Sequence, residues 1–141
     1  MRVITGAARG RRLETLEGLD TRPTAERVKE GLFSVIQFDI EGRRVLDLFA
    51  GSGQLGVEAM SRGAASCVFV DKNPDAVEVI RRNLKAAGLT ANTQVVCVEA
   101  GAYLTRPGET FDLAFLDPPD AAGLLEPTLQ RLTAHMNPGG I

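Results

Sequence analysis

Residues 43–136 alternate between short apolar runs and stretches whose apolar positions recur at helical spacing. Glycine, proline and asparagine separate the runs from these stretches. Apolar runs of this length are typical of buried strands, and strands that alternate with helices favour a parallel sheet covered on both faces. The predicted strands are Val45–Phe49, Cys67–Val70, Val95–Val98 and Asp112–Leu116.

The same pattern predicts four helices. The clearest follows the second strand, where Asn73 is a good N-cap, Pro74 suits the first helical position and Gly88 ends the helix. Its inward face is predicted to carry Val77, Ile80 and Leu84. The others are Thr24–Phe38 with a stripe of Val28, Leu32 and Ile36, Gln54–Arg62 with Leu55, Ala59 and Met60 on one face, and Pro127–Met136 with Leu129, Leu132 and Met136 inward.

The two ends of the chain are predicted to add strands to this core. Arg2–Ile4 and Arg11–Leu13 flank the segment Gly6–Gly10, which favours a small hairpin. At the other end, a turn over residues 137–140 is followed by Ile141 alone. Because a four-stranded parallel sheet would leave its last strand as an open edge, we expect a fifth strand to begin here and C-terminal residues to be missing.

Length and composition place the chain among globular proteins. Its 141 residues are 44% hydrophobic and 24% charged, which suffices for one domain with a buried core. We expect a single domain over residues 1–141, with a basic hairpin extension over 1–20 and an α/β core over 21–141. Because the sequence has no run of about 18 apolar residues and no signal-peptide pattern, it predicts a soluble cytoplasmic protein that does not enter a membrane.

The cysteines and the charged residues limit which metals and macromolecules the chain is expected to bind. Cys67 and Cys97 lie in apolar segments without the spacing of metal ligands, so buried free thiols and no metal site are expected. The formal net charge of −2 does not itself indicate nucleic acid binding. The first 13 residues nevertheless contain four arginines and no acid, which suits either phosphate contacts or a solvated basic arm. These arginines are Arg2, Arg9, Arg11 and Arg12.

A glycine-rich turn follows the first predicted strand. The segment Gly51-Ser52-Gly53-Gln54-Leu55-Gly56 has the G-x-G-x-x-G spacing, which lets a ligand approach the backbone where a helix begins. Asp71 falls at the end of the second strand, where a carboxylate can accept hydrogen bonds from both ribose hydroxyls of an adenosine. Together these features indicate nucleoside binding rather than a tight strand-helix junction alone.

Two further acids bear on which nucleoside binds. A dinucleotide would place its anionic pyrophosphate at this helix N-terminus, where Asp47 would repel it. S-adenosylmethionine instead presents a sulfonium and an ammonium, which Asp47 favours directly or through water, so it is the predicted cofactor. Glu99, at the end of the third strand, is in reach of an adenine amino group, although a solvated loop position is the simpler interpretation of Glu99 alone.

The segment Asp117-Pro118-Pro119 follows the fourth strand, at the same edge of the sheet as the glycine turn. The two prolines fix the backbone and leave the Asp117 side chain and the Pro118 carbonyl as rigid acceptors. Accepting both N–H groups of an exocyclic amine turns its lone pair toward an electrophile and stabilises the developing positive charge. Positioning then supplies most of the catalysis. Without the glycine turn, the same segment would be interpreted as the end of a strand.

Taken together, Asp47–Gly56, Asp71 and Asp117-Pro118-Pro119 resemble the class I S-adenosylmethionine-dependent methyltransferases that modify exocyclic amines. The segments Arg9-Gly10-Arg11-Arg12-Leu13 and Thr21-Arg22-Pro23-Thr24 are similar to the bacterial 16S ribosomal RNA guanine-N2 methyltransferases. The resemblance covers the whole chain. It implies a Rossmann-like fold and transfer of one methyl group to a guanine amino group of small-subunit rRNA, on an assembled particle.

The sequence departs from this family in two places. After Asp-Pro-Pro the family usually has an aromatic residue that stacks on the target base, whereas this chain has Asp120, which offers no π-face. The family fold also continues through a fifth strand and a final hairpin, beyond the position of Ile141.

The predicted site residues form three groups. The catalytic group is Asp117, Pro118 and Pro119. The cofactor-binding group is Asp47, Phe49, Ala50, Gly51, Ser52, Gly53, Asp71, Lys72, Glu99 and Ala100. The RNA-binding group is Arg9, Arg11, Arg12 and Arg22. A monomer is expected, and two alternative functions stay open: N-methyl transfer to adenine in DNA or to a protein amide, and a nucleotide-binding or assembly module without catalysis.

Overall fold

The computed structural model describes residues 2–15, 23–106, 108–116 and 125–141. Within these ranges, strands and helices alternate along the chain. The elements are α1 Pro23–Ile36, β1 Arg44–Leu48, α2 Gln54–Ser61, β2 Ser66–Asp71, α3 Pro74–Ala87, β3 Thr93–Cys97, α4 Ala100–Leu104, β4 Leu113–Leu116, α5 Leu125–Leu132 and a 3-10 turn Thr133–His135. In this part of the chain, no helix is long and apolar enough to cross a membrane.

The four strands form one parallel sheet in the order β3-β2-β1-β4. The register keeps the strand ends level, since Leu48 pairs with both Val70 and Leu116, and Asp71 pairs with Cys97. All four carboxyl ends therefore meet at one edge, which is where open α/β sheets bind ligands. The predicted α/β fold with a parallel, Rossmann-like sheet is confirmed.

Helices cover both faces of the sheet, each over its own apolar core. The core beneath α1, α2 and α3 includes Phe33, Val57 and Ile80, all fully buried. The opposite core, beneath α4 and α5, includes Tyr103 and Leu132. Because both faces are covered, β1 and β2 are buried on both sides, which explains why both segments are largely apolar in the sequence.

The inward face of α1 differs from the predicted stripe. Lys29 and Phe33 are buried, whereas Val28 and Leu32 are 67% and 37% exposed. The reason is an ion pair: Lys29 Nζ lies 3.1 Å from a carboxylate oxygen of Glu58, and both side chains are almost fully buried. Lys29 therefore occupies the core position that the apolar pattern assigned to Val28, and the buried face of α1 is shifted by one residue from the predicted one at this point.

Four further details differ from the predictions. The last helix is followed by the 3-10 turn Thr133–His135 rather than continuing to residue 136, and Leu129, predicted inward, is 44% exposed. Cys67 is buried as predicted, but Cys97 is exposed because β3 is the outermost strand of the sheet. Residues 100–104 carried no predicted helix, and they form α4.

The ends of the chain lie against this core. Arg2 and Arg12 form an antiparallel bridge, so the predicted N-terminal hairpin is present. Ile141 lies beside β4, where its N–H donates to the Asp112 carbonyl at 2.9 Å and its carbonyl accepts from the Ala114 N–H at 3.0 Å. This is the bonding pattern of a parallel bridge, so Ile141 occupies the position at which a fifth strand was predicted to begin.

Gly56 in α2 is required by the close approach of that helix to β2. A Cβ on Gly56 would lie 2.3 Å from Cε2 of Phe69 and 2.9 Å from Sγ of Cys67. We therefore expect Gly56→Ala to lower the free energy of unfolding by about 1–3 kcal/mol, the usual cost of overpacking a core. Urea denaturation monitored by circular dichroism measures this change.

Gly31 in α1 is a matched control, because a Cβ there meets no atom within 4 Å. Gly31→Ala should raise the free energy of unfolding by about 0.4–1 kcal/mol, through the lower entropy of the unfolded chain. Equal effects of the two substitutions would show that Gly56 is not needed for packing.

Candidate functional site

The glycine turn between β1 and α2 has an unusual backbone. Phe49, Gly51 and Gly53 all have positive φ, of 61°, 60° and 81°. This conformation is strained for phenylalanine and free of strain for glycine. Strained residues persist where the surroundings hold them in place, and they are concentrated at functional sites. Here the Ala50 N–H donates to the Val70 carbonyl at 2.9 Å, which ties the turn to β2.

Three side chains fix the turn from different elements. The Gly51 N–H donates to Oδ2 of Asp71 at 2.8 Å, and the Gly56 N–H donates to Oδ2 of Asp47 at 3.0 Å. Nδ2 of Asn83 donates to the Ser52 carbonyl at 2.9 Å. The turn is therefore preorganised by charged and amide groups from β1, β2 and α3.

Asp47 lies beneath the turn, on the face of the sheet covered by α2, and is 2% exposed. The N-cap Gly53 provides no side-chain cap, so Asp47 supplies the acceptor and negative charge that favour the N-terminus of α2. Burial, and secondarily the Asp47 charge, raise the pKa of the Cys67 thiol well above its ordinary value. Asp47 thus holds the turn in place, and its contact with a bound donor stays a prediction.

Asp71 ends β2 at the open edge of the sheet. One carboxylate oxygen accepts from Gly51 and the other from the Asn73 N–H, at 2.8 and 2.9 Å. Each oxygen keeps a second lone pair, so the oriented carboxylate can still accept hydrogen bonds from ribose hydroxyls. Lys72 follows it and is exposed.

Glu99 caps α4 at the end of β3. Its two carboxylate oxygens accept from the Gly101 and Ala102 N–H groups, each at 3.0 Å. These hydrogen bonds, with smaller contributions from the charges of Arg131 and Lys72, lower the pKa of the Glu99 carboxyl. Glu99 therefore orients the chain at the edge of the site, immediately before the buried Ala100.

The lowered pKa of Glu99 predicts an acid-dependent loss of stability. Its contribution is complete above the ordinary glutamate pKa of about 4.3 and disappears as the pH falls through the lower pKa of the folded state. We expect Glu99→Gln to lower the melting temperature at pH 7, and the difference from the unmodified chain to shrink steadily as the pH falls below the ordinary glutamate pKa of about 4.3. Thermal unfolding of both proteins from pH 7 into this acidic range tests it, and a constant difference would contradict it.

The two glycines of the turn serve different purposes. A Cβ on Gly53 would lie 3.0 Å from the Ile80 side chain, so Gly53 allows close packing of the turn on α3. A Cβ on Gly51 meets no atom within 4 Å, so the backbone at Gly51 faces open space. The open backbone lies beside the Asp71 carboxylate, an arrangement that fits a nucleoside with its ribose at Asp71.

The structure brings most of the predicted cofactor-binding group to one edge of the sheet. Phe49 through Gly53 form the turn, Asp71 and Lys72 end β2, and Glu99 and Ala100 begin α4 next to it. The predicted catalytic residues Asp117, Pro118 and Pro119 lie outside the described residues, as do Asp120 and Arg22. β4 ends at Leu116, level with Leu48, so it brings the chain to the same edge. Among the described residues, no group of three or more His, Cys, Asp or Glu side chains is arranged to hold a metal ion.

The N-terminal hairpin presents its arginines to solvent. Arg9, Arg11 and Arg12 are exposed. The hairpin is attached to the end of α2, where the Ala8 N–H donates to Oγ of Ser61 at 2.9 Å. Arg9 and Arg12 thus have room to reach a large anionic partner.

Sequence reasoning missed two polar residues that organise the site. Asn83 and Glu58 are 1% and 0% exposed, and each lies on the buried side of a helix. A polar residue among apolar neighbours on a helix face was the available signal, because buried polar groups are nearly always hydrogen-bonded. The pattern gives no indication of which distant segments those bonds reach.

Comparisons with known proteins agree with this architecture. The family model described as conserved hypothetical protein 95 matches residues 1–141. The chain is 46% identical over 122 residues to the Bacillus subtilis protein named "Putative rRNA methyltransferase YlbH", covering 84% of this chain and 66% of that protein. It is 38% identical over 132 residues to the Escherichia coli "Ribosomal RNA small subunit methyltransferase D", covering 94% and 66%. The chain thus spans about two thirds of the length of these relatives.

A solved structure shows the same fold. The Escherichia coli protein described as "Putative methyltransferase yhhF" superposes with a TM-score of 0.87 at 38% sequence identity. The match covers 96% of this chain and 74% of that one.

Proposed function

The chain belongs to the conserved hypothetical protein 95 family, and from that premise we propose that it is an S-adenosylmethionine-dependent rRNA methyltransferase. The finer proposal is methylation of the exocyclic N2 amine of a guanine in 16S rRNA, by a monomer acting on an assembled small-subunit particle. Two relatives are named as rRNA methyltransferases, one of them for the small subunit. The observation that carries the proposal is the preorganised glycine turn, with its open backbone at Gly51 beside Asp71.

The residues at this edge suit a cationic methyl donor. Asp47 and Asp71 lie against the turn and Glu99 follows β3 at the same edge of the sheet, each carboxylate oriented by backbone N–H groups. S-adenosylmethionine, when bound, supplies a methyl group on a positively charged sulfur. Asp71 would hold the ribose hydroxyls, and the acidic surroundings would disfavour an anionic pyrophosphate at the same helix N-terminus.

The acceptor amine would be held by Asp117 and Pro118. The Asp117 carboxylate and the Pro118 carbonyl accept the two N–H groups of the amine, which directs its lone pair away from the ring. The same two oxygens stabilise the positive charge that develops on nitrogen during transfer. Because positioning supplies most of the rate, no covalent intermediate with the chain is needed.

The arginines of the hairpin would contact rRNA phosphates. Replacing Arg9, Arg11 and Arg12 together by alanine should weaken RNA binding and lower the steepness of its salt dependence by about two to three in log-log slope, one for each lost phosphate contact. Filter binding of a 16S rRNA transcript at several salt concentrations measures both quantities. Arg81→Ala, on the exposed side of α3, is the control for a general loss of positive charge. Equal slopes for the triple variant and the control would exclude the hairpin from the RNA interface.

Transfer of a tritiated methyl group tests the function. We expect label in 16S rRNA when the chain is offered 30S particles reconstituted from unmodified rRNA, and digestion of the product should yield N2-methylguanosine. Naked 16S rRNA, DNA and a protein fraction are offered in parallel. Preferential labelling of adenine in DNA or of protein would replace the proposed substrate. Binding of S-adenosylhomocysteine without transfer to any substrate would favour a module without catalysis.

A further inference from the structure

Asn83 joins two segments that the proposed function assigns to different ligands. Its Oδ1 accepts from the Glu14 N–H at 2.6 Å, and its Nδ2 donates both to the Glu14 carbonyl at 2.9 Å and to the Ser52 carbonyl at 2.9 Å. The side chain is 1% exposed, and its amide protons are both used. One buried amide thus connects the end of the arginine hairpin to the centre of the glycine turn.

On the turn side, Asn83 fixes the peptide group between Ser52 and Gly53. The carbonyl of this group accepts from Asn83, while its N–H donates to the Ala50 carbonyl at 2.8 Å. Both ends of the peptide group are therefore held, and this sets the positive φ of Gly53. Losing Asn83 would free the carbonyl end and let the turn change shape.

On the hairpin side, Asn83 holds both backbone groups of Glu14. This residue comes two positions after Arg12, so the anchored backbone determines where the arginine hairpin leaves the core. A second contact, between Nε of Arg82 and the Glu14 carboxylate at 2.8 Å, involves side chains that are 49% and 57% exposed. Exposed ion pairs contribute little, so the buried amide is the main link.

We propose that Asn83 is a positioning residue that couples the two ligands, so that methyl donor and RNA each bind more tightly when the other is bound. The inference rests on the proposed function, which places donor at the turn and RNA at the hairpin. A ligand that favours the observed arrangement of either segment also favours the Asn83 hydrogen bonds that both segments share, so the second ligand meets its segment already in that arrangement. The coupling is reciprocal, and we expect it to be about fivefold in affinity, at the low end of typical values.

The test compares RNA affinity with and without S-adenosylhomocysteine. Filter binding of a radiolabelled 16S rRNA transcript gives a Kd at saturating S-adenosylhomocysteine and another in its absence. The unmodified chain should show a ratio of about five between the two values. Calorimetric titration with S-adenosylhomocysteine, with and without the transcript, should give the same ratio.

Two variants locate the coupling. Asn83→Asp keeps an acceptor for the Glu14 N–H, but it replaces the amide donor with an oxygen that faces the carbonyl oxygens of Glu14 and Ser52. The two Kd values of this variant should therefore be equal. Arg82→Gln removes the exposed contacts of Arg82 to Glu14 and Glu78 but leaves the hydrogen bonds of Asn83 in place, so it should keep the full ratio. Thermal unfolding confirms that both variants are folded. A merely structural role of Asn83 would lower both affinities and leave their ratio unchanged.

The outcomes separate this inference from the function on which it rests. Equal Kd values for the unmodified chain, which require no variant, would overturn the coupling and leave the methyltransferase proposal intact. A full ratio in Asn83→Asp would assign the coupling to another residue and overturn the role of Asn83. An unmodified chain that does not bind S-adenosylhomocysteine would overturn the proposed function itself.

Discussion

Replacing Asp117 by alanine is expected to lower kcat for methyl transfer to small-subunit particles by about 10²–10³-fold, the usual loss when one preorganised polar group is removed from a reacting centre. The carboxylate is proposed to accept an N–H of the target amine and to face the positive charge that develops on its nitrogen. Alanine offers neither an acceptor nor a charge. The lone pair would then stay conjugated with the ring, and the amine would remain a poor nucleophile.

Single-turnover transfer of a tritiated methyl group measures this loss without interference from product release. The Kd for S-adenosylhomocysteine should be unchanged, because Asp117 is assigned to the amine and not to the donor. Asp117→Asn should retain part of the rate, since its amide oxygen can still accept one N–H. Asp120→Ala is the matched control from the same segment, and it should keep the rate. An Asp117→Ala variant as fast as this control would exclude the proposed role of Asp117.

Much of the fold could be predicted from the sequence because the residues that define each helix or strand lie within or next to that element. α3 begins and ends as predicted, since Asn73 accepts from the Asp75 N–H, Pro74 stands at the first position and Gly88 adopts the left-handed conformation. β1 and β2 were visible because both of their faces are buried. The face of α1 was mispredicted because its position depends on the pairing of Lys29 with Glu58, two residues far apart in sequence.

The candidate site also has one part that local spacing predicts and another that depends on residues far apart in sequence. The glycine turn and Asp71 were recognisable because their spacing is set by one strand-turn-helix unit. The hydrogen bonds of Asn83 join residues 69 and 31 positions apart, and no pattern over neighbouring residues encodes such a pairing. Asp47 was recognised as important, but its burial beneath α2 depends on the close approach of this helix to the sheet, which Gly56 allows.

Glu58 is the residue whose loss should most weaken the folded state. Its carboxylate is fully buried, and Oε1 accepts from the Ile4 N–H at 2.8 Å and from Nζ of Lys29 at 3.1 Å. Oε2 accepts from the Thr5 N–H at 3.1 Å and from Nε of Arg62 at 2.9 Å. Glu58→Ala should lower the free energy of unfolding by about 3–5 kcal/mol, because it removes the carboxylate partner of buried or half-buried cations and N–H groups.

Urea denaturation measures this loss. Glu78→Ala is the control, because Glu78 makes an exposed pair with Arg82 within α3 that should contribute no more than about 1 kcal/mol. Since Glu58 accepts from the Ile4 and Thr5 N–H groups, its removal should loosen the start of the hairpin before the core unfolds, while Ser61 in α2 still holds Thr5 and Ala8. Limited trypsin digestion should then cleave after Arg9, Arg11 or Arg12 under conditions that leave the unmodified chain intact. RNA affinity should fall in parallel, because the arginines would no longer be held in one orientation. If Glu58→Ala matched the control in both stability and cleavage, the carboxylate would have no part in holding the arginine hairpin on the core.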